Sequence, residues 1–123
     1  MSQWVALMWG IKPESRDAVR ELFHNYGRPD HTIKDEDGNE VGTLLQTLVF
    51  MKDNDVIRVV ETTDGVDLPT LAKHMGRQQA IRDLEDQLDP HIAETRDMST
   101  PDGAREFFVK SLMELLVTRR HDE

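Results

Sequence analysis

The stretch that most constrains this chain is a pair of apolar runs, 44–51 and 56–60, separated only by a short turn rich in Asp and Asn. Their Val, Ile, Leu, Phe and Thr suit the pleated surface of strands. Asp53-Asn54-Asp55, rich in Asp and Asn, supplies the turn. Upstream, Asp37-Gly38-Asn39 carries a second turn signal, so Arg28 to Glu61 reads as a sheet meander. Both runs are apolar on both faces. One face is expected against helices, and the other against something equally shielded from water, either a binding cavity or a partner subunit.

The flanking segments fit that meander. Trp4 to Ile11 reads as a first strand, with Trp4, Ala6, Met8 and Gly10 on one face and Val5, Leu7, Trp9 and Ile11 on the other. Pro13 opens a helix running to about Tyr26, with Ala18, Val19, Leu22, Phe23 and Tyr26 as its apolar stripe. Gly27 and Pro29 stop it. Asp67 caps a helix from Leu68 whose inner stripe is Leu68, Leu71, Ala72 and Met75, and Gly76 weakens or kinks it. A further helix from about Gln78 to Leu88 carries Ala80, Ile81, Leu84 and Leu88 inward and closes at Pro90. Thr100-Pro101 opens a short last helix, while 110–118 reads equally as helix or strand. This order predicts an α+β fold: one domain over 1–123, an antiparallel sheet with helices on one face. A second subunit is the economical cover for the other face.

Charge and composition exclude several functions. The 15 basic and 24 acidic residues give a net charge of −9, which argues against nucleic acid as a partner. The absence of cysteine excludes disulfides, thiolate metal sites and a thiol nucleophile. The apolar run Trp4 to Trp9 is too short to span a bilayer, so a cytoplasmic protein without membrane contact is expected. No glycine-rich phosphate loop, nucleophile elbow or H-E-x-x-H is present, so neither cofactor nor metal is expected.

Several motifs resemble the SchA/CurD-like family. They are Gly27-Arg28-Pro29, Asp35-Glu36-Asp37-Gly38, Val41-Gly42, Val49-Phe50-Met51-Lys52-Asp53, His74-Met75, Arg96-Asp97-Met98-Ser99-Thr100-Pro101 and Phe107-Phe108. The resemblance implies a role in bacterial aromatic (type II) polyketide biosynthesis. The order of elements also resembles tetracenomycin-type polyketide cyclases and the cofactor-independent antibiotic-biosynthesis monooxygenases. That likeness implies a ferredoxin-like antiparallel sheet, a homodimeric α/β barrel and a pocket between each sheet and its helices. Where the cyclases carry histidines, this chain has Tyr26 and Lys52, with His24 and His31 close by.

The chemistry of ring closure selects the candidates. Folding a poly-β-ketone removes a proton from an acidic carbon and stabilises an enolate, so it needs a base and an oxyanion holder. His24, Tyr26, Arg28 and His74 are the catalytic candidates; Asp30 and His31 share their loop. Trp4, Met8, Gln46, Phe50, Arg58 and Met75 are the substrate-binding candidates. Arg58 stands in an otherwise apolar strand and needs a partner if buried, with Glu61 or a facing subunit as the expected source. The expected function is a cofactor-free cyclase or aromatase on an aromatic polyketide precursor, with a polyketide synthase complex as a further partner. The rivals are a cofactor-independent monooxygenase and a non-catalytic folding chaperone.

Overall fold

The computed structural model describes residues 2–121; Met1, Asp122 and Glu123, at the ends of the expected 1–123 unit, lie outside the described residues. Strand β1 spans Ser2–Gly10 and is followed by a 3-10 turn, Pro13–Ser15, and helix α1, Arg16–Asn25. Strands β2 (Thr32–Lys34), β3 (Glu40–Lys52) and β4 (Asp55–Thr63) form the meander. Helices α2 (Leu68–Arg77) and α3 (Gln79–Leu88), a 3-10 turn (Asp89–His91) and α4 (Pro101–Ser111) complete the order. The sheet has four strands in the order β1-β4-β3-β2, and neighbouring strands run antiparallel. The β3–β4 turn brings Lys52 opposite Asp55. Asp53 takes the left-handed backbone there, at φ 53°, as Gly38 does in the earlier turn at φ 83°.

Strand alternation assigns the two faces. Val5, Leu7 and Trp9 of β1 pair with Val60, Arg58 and Val56 of β4, and this row faces the helices. On β3 the same face carries Leu44, Thr47, Val49 and Met51. The other face carries Trp4, Met8, Leu48, Phe50, Ile57 and Val59 and is covered by no element of the described chain; Phe50 is 57% exposed. At its edge Glu61 accepts hydrogen bonds from Ser2 and Gln46, which hold its carboxyl below the usual carboxylate range.

The core between sheet and helices comes in two parts. One gathers Trp9, Ile11, Val19, Val56, Leu84, Leu88 and Ile92. The other gathers Val5, Ile33, Leu44, Val60, Val66 and Leu71. Val56 and Val60 lie two positions either side of Arg58 on one face of β4, so the guanidinium sits at the seam between the two clusters. Arg58 is 6% exposed. Its Nη1 lies 3.7 Å from Glu85 Oε1 on α3, and Arg96 Nη1 takes the other carboxylate oxygen at 2.7 Å. Arg96 also donates Nε to Asp89 at 2.7 Å and Nη2 to the Glu85 carbonyl at 3.0 Å. Glu85 therefore stands between two guanidiniums, and it rather than Glu61 is the partner of Arg58. Residues 58 and 61 point to opposite faces of β4.

The structure refines three local expectations. The break between α2 and α3 falls at Gln78, whose backbone is extended (φ −79°, ψ 122°), and Gly76 remains helical. A single glycine costs a helix only about 1 kcal/mol relative to alanine, too little to break it. The first α-helix ends at Asn25, leaving Tyr26 as an extended cap residue. The ambiguous 110–118 segment is helical to Ser111 and then forms one bridge, Leu112 to Leu7, with Met113 N–H donating to the Ala6 carbonyl at 2.8 Å. Beyond it Leu115, Leu116 and Val117 are exposed. Among the described residues, no helix is long and apolar enough to cross a membrane.

Two stability outcomes follow. Glu85→Gln leaves both guanidiniums without their shared anion, so urea denaturation should show a loss of about 3–5 kcal/mol. Arg58→Met leaves Glu85 paired with Arg96, so its stability should stay within about 1 kcal/mol of the parent or rise. A loss on Arg58→Met matching that of Glu85→Gln would show that the pair acts as structural glue. Separately, a Cβ at Gly42 would overlap the Val66 side chain and the Thr63 hydroxyl. Gly42→Ala should lower stability by about 1–3 kcal/mol in the same assay.

Candidate functional site

The site is built where the end of α1 meets the middle of β4. Trp9, Phe23 and Tyr26 form an aromatic ladder on the helix side: Trp9 and Phe23 have ring centroids 6.1 Å apart, and Phe23 meets Tyr26 edge-on at 5.8 Å. The ladder ends at Arg58, whose guanidinium carbon lies 5.9 Å from the Tyr26 ring centroid. A cation over an aromatic face is attracted by the ring's negative charge distribution. Arg58 Nε and Nη2 are buried without a hydrogen-bond partner. A buried, unsatisfied donor is unfavourable by about 1–3 kcal/mol, so it calls for a ligand or some other compensation.

Tyr26 also lines a cleft of about 340 Å³ between α1 and α3, together with Ala18, Glu21, Leu22, Asn25, Gln87 and His91. His91 Nδ1 lies 2.8 Å from the hydroxyl of the buried Ser15. The cleft thus places an imidazole on its wall and, at Tyr26, an aromatic ring next to a buried cation. A second cleft, about 400 Å³, lies between β2 and α2 and is walled by charged residues including Lys34, Glu36, Asp67, Lys73 and Arg77. There Lys73 pairs with Glu36, and Arg77 donates to the Lys34 carbonyl. Lys73 is the largest influence lowering the Glu36 carboxyl. The α1–α3 cleft is the better candidate because it adjoins the unsatisfied cation.

The sequence candidates divide by face. Tyr26, Arg58, His74 and Met75 lie on the helix side of the sheet. Trp4, Met8, Gln46 and Phe50 lie on the uncovered face and do not meet Arg58. His24 and Arg28 are exposed at the end of α1 and in the following loop. His74 is 2% exposed, and its Nε2 donates to the Asp30 carbonyl at 2.9 Å, so it ties α2 to the loop that carries Tyr26 and Arg28. Met75 packs against the second core cluster.

Three residues at the site had no role assigned from sequence: Glu85, His91 and Arg96. Glu85 has a readable signal, since it lies four positions after Ile81 and three before Leu88 and so interrupts a buried helical stripe. Arg96 belongs to the closing motif: its guanidinium lies 4.5 Å from the Phe107 ring centroid, while Thr100 caps α4 by accepting from Gly103 N–H at 3.0 Å. That motif both starts a helix and delivers a cation to Glu85. For His91 the sequence offers only its place after Pro90. Among the described residues, no group of three or more His, Asp or Glu is arranged to hold a metal ion.

Known proteins contain segments similar to this chain. A family profile for the SchA/CurD like domain matches residues 2–120. Polyketide synthase CurD of Streptomyces cyaneus is 34% identical over 108 residues, covering 88% of this chain and 28% of that protein. A 42.8 kDa protein in the whiE locus of Streptomyces coelicolor is 33% identical, with 88% and 25% covered. Protein SchA of Streptomyces halstedii is 31% identical, with 88% and 27% covered. The chain thus spans about a quarter of the length of these relatives. No solved structure matches it closely enough to count as a relative. The profile match across nearly the whole chain establishes that it belongs to the SchA/CurD-like family.

Proposed function

We propose that the chain acts in aromatic polyketide biosynthesis as a cofactor-free cyclase or aromatase on a poly-β-ketone. The observation that carries this reading is the buried Arg58, with two unsatisfied N–H groups beside Tyr26, in a chain whose relatives include a polyketide synthase. A ring closure needs a proton acceptor and an oxyanion holder; His91 and Tyr26 line one cleft, and Arg58 lies buried behind the Tyr26 ring, so the three can fill these roles once that ring turns aside. His91 takes a proton from a methylene between two carbonyls, and imidazole suits that task near neutral pH. The enolate oxygen rests on Arg58, with the Tyr26 hydroxyl as a second donor. The enolate carbon attacks a carbonyl further along the same chain, forming the new C–C bond. The resulting alkoxide takes the proton back from His91, and loss of water completes the aromatic ring. His24 and Arg28 stand at the exposed approach, and His74 holds the loop between them and α2.

The same reading includes a homodimer. Its support is the uncovered apolar face, with Phe50 57% exposed and Leu48 38% exposed beside Met8. Two such faces packed together would form a dimeric α/β barrel of ferredoxin-like halves, with the α1–α3 cleft of each protomer on the outer, helix side. A stable interface buries about 800 Å² per partner, within reach of a four-stranded face.

Two measurements test these statements. The purified chain, added to a reconstituted minimal aromatic polyketide synthase, should yield a dehydrated, ring-closed product by mass spectrometry, equally in air and under argon. Arg58→Lys should cut its formation by about 10²-fold, the usual loss when an oxyanion donor is removed. A product that needs air and takes up labelled oxygen would replace the cyclase with an oxygenase. A product shift that survives alanine at Tyr26, Arg58 and His91 together would replace it with a folding chaperone. For the assembly, light scattering after size exclusion should give a dimer for the parent and a monomer for Phe50→Asp. A monomeric parent at micromolar concentration would refute the sheet-to-sheet arrangement.

A further inference from the structure

We propose that Arg58 holds open a two-pronged receptor for a planar anionic pair of oxygens, the group carried by a 1,3-dicarbonyl enolate and by a carboxylate. The inference rests on reading the space between sheet and helices as the substrate site. Its geometric basis is which of the guanidinium nitrogens are vacant. A guanidinium presents Nε–H and one Nη–H side by side along one edge, the edge that grips two oxygens at once. In Arg58 the two unpartnered atoms are Nε and Nη2, while Nη1 alone is turned to Glu85.

The comparison with Arg96 shows that this vacancy is not a general property of the network. Both guanidiniums serve Glu85, and both are buried, with side chains 8% and 4% exposed. Arg96 fills Nε, Nη1 and Nη2 with Asp89, the Glu85 carboxylate and the Glu85 carbonyl, all within 3.0 Å. Arg58 makes one long contact of 3.7 Å and leaves its paired edge free. An arginine kept for structure alone would be expected to resemble Arg96, because each unmet buried donor destabilises the fold. The surroundings fit a ligand that is a planar head on an apolar body. Leu7 and Val49 flank Arg58 across the sheet, and the Tyr26 ring stands over it and lines the cleft. Tyr26 is the extended residue that follows α1, so rotation of its side chain opens the route from cleft to guanidinium without unwinding a helix.

The test uses the full chain labelled with nitrogen-15 and follows the Arg58 Nε–H resonance, assigned by its loss in Arg58→Lys. Acetylacetone, benzoate and acetone are titrated separately. Acetylacetone and benzoate should each shift the resonance saturably, and acetone, with one oxygen, should not. Binding, followed by probe-observed NMR, should weaken about tenfold or more in Arg58→Lys, since lysine keeps the charge but not the paired edge. Tyr26→Ala should still shift the resonance saturably with both probes, because it uncovers the guanidinium even though it removes one hydroxyl donor. Shifts with acetylacetone alone or benzoate alone support the receptor and assign its source to the dicarbonyl or the carboxylate. Equal binding of acetone would overturn recognition of an oxygen pair. Silence toward every probe in both the parent and Tyr26→Ala would overturn the receptor altogether. Probe binding without any change in polyketide products would sink the proposed function and leave this inference standing; changed products without probe binding would do the reverse.

Discussion

A charge placed inside a core is the constraint around which this fold is arranged. Arg58 lies near the centre of β4, one of the two interior strands, at the seam between the two apolar clusters. Removing a guanidinium from water is tolerable only with a counter-charge. Glu85 must therefore project from α3 onto the sheet, and it does so from within a stripe otherwise made of Ile81, Leu84 and Leu88. Arg96 and Asp89 then complete the set, giving two cations and two anions in contact. The closing motif is fixed by the same requirement, because Arg96 reaches Glu85 only if the chain after the Asp89–His91 turn folds back beside α3. Phe107 covers the outer side of Arg96, so α4 is docked by the network as well as by the bridge at Leu112.

Most of the fold was legible in the sequence because its signals are local. Alternation across 44–51 and 56–60, the Asp/Asn turn between them, and the helical stripes each depend on near neighbours in the chain. The limits came where two local signals compete. Gly76 suggested a weakened or kinked helix, yet it stays helical and the break falls at Gln78, where the Gln78 carbonyl accepts from both Ile81 and Arg82 and starts α3. The end of the chain was ambiguous because Phe108, Leu112, Leu115 and Leu116 fit a helical stripe while Leu112 to Thr118 also reads as a strand. The single bridge at Leu112 decides that segment, and it depends on the free edge of β1, a feature no local window contains.

The site was legible only in part. Arg58 and Tyr26 stand out as a cation in an apolar strand and an aromatic residue at a helix end. Which face they share is a different question. Strands β1, β3 and β4 are each apolar on both sides, so alternation separates Trp4, Met8 and Phe50 from Val5, Trp9 and Val56 without saying which set meets the helices. The partner of Arg58 was illegible for a related reason. Glu61 is near in sequence but on the opposite face, while Glu85 is 27 residues further on and becomes a neighbour only when α3 packs on the sheet.

The two faces of the sheet therefore present different physics. On the open face the polar residues are satisfied within the chain, Glu61 by Ser2 and Gln46, and what remains is apolar surface without direction. Such a surface favours burial but selects no particular chemistry. On the helix side the imbalance is polar and directional: two parallel N–H groups at fixed positions in a dry setting. Hydrogen bonds to a charged group in such a setting are strong, and they discriminate between oxygens by geometry. An open apolar face is a reason for two copies to associate, whereas an unsatisfied buried guanidinium is a reason for a small molecule to enter. The Glu85–Arg96–Asp89 arrangement lets the fold keep that guanidinium available, because it supplies the counter-charge without occupying the edge that binds.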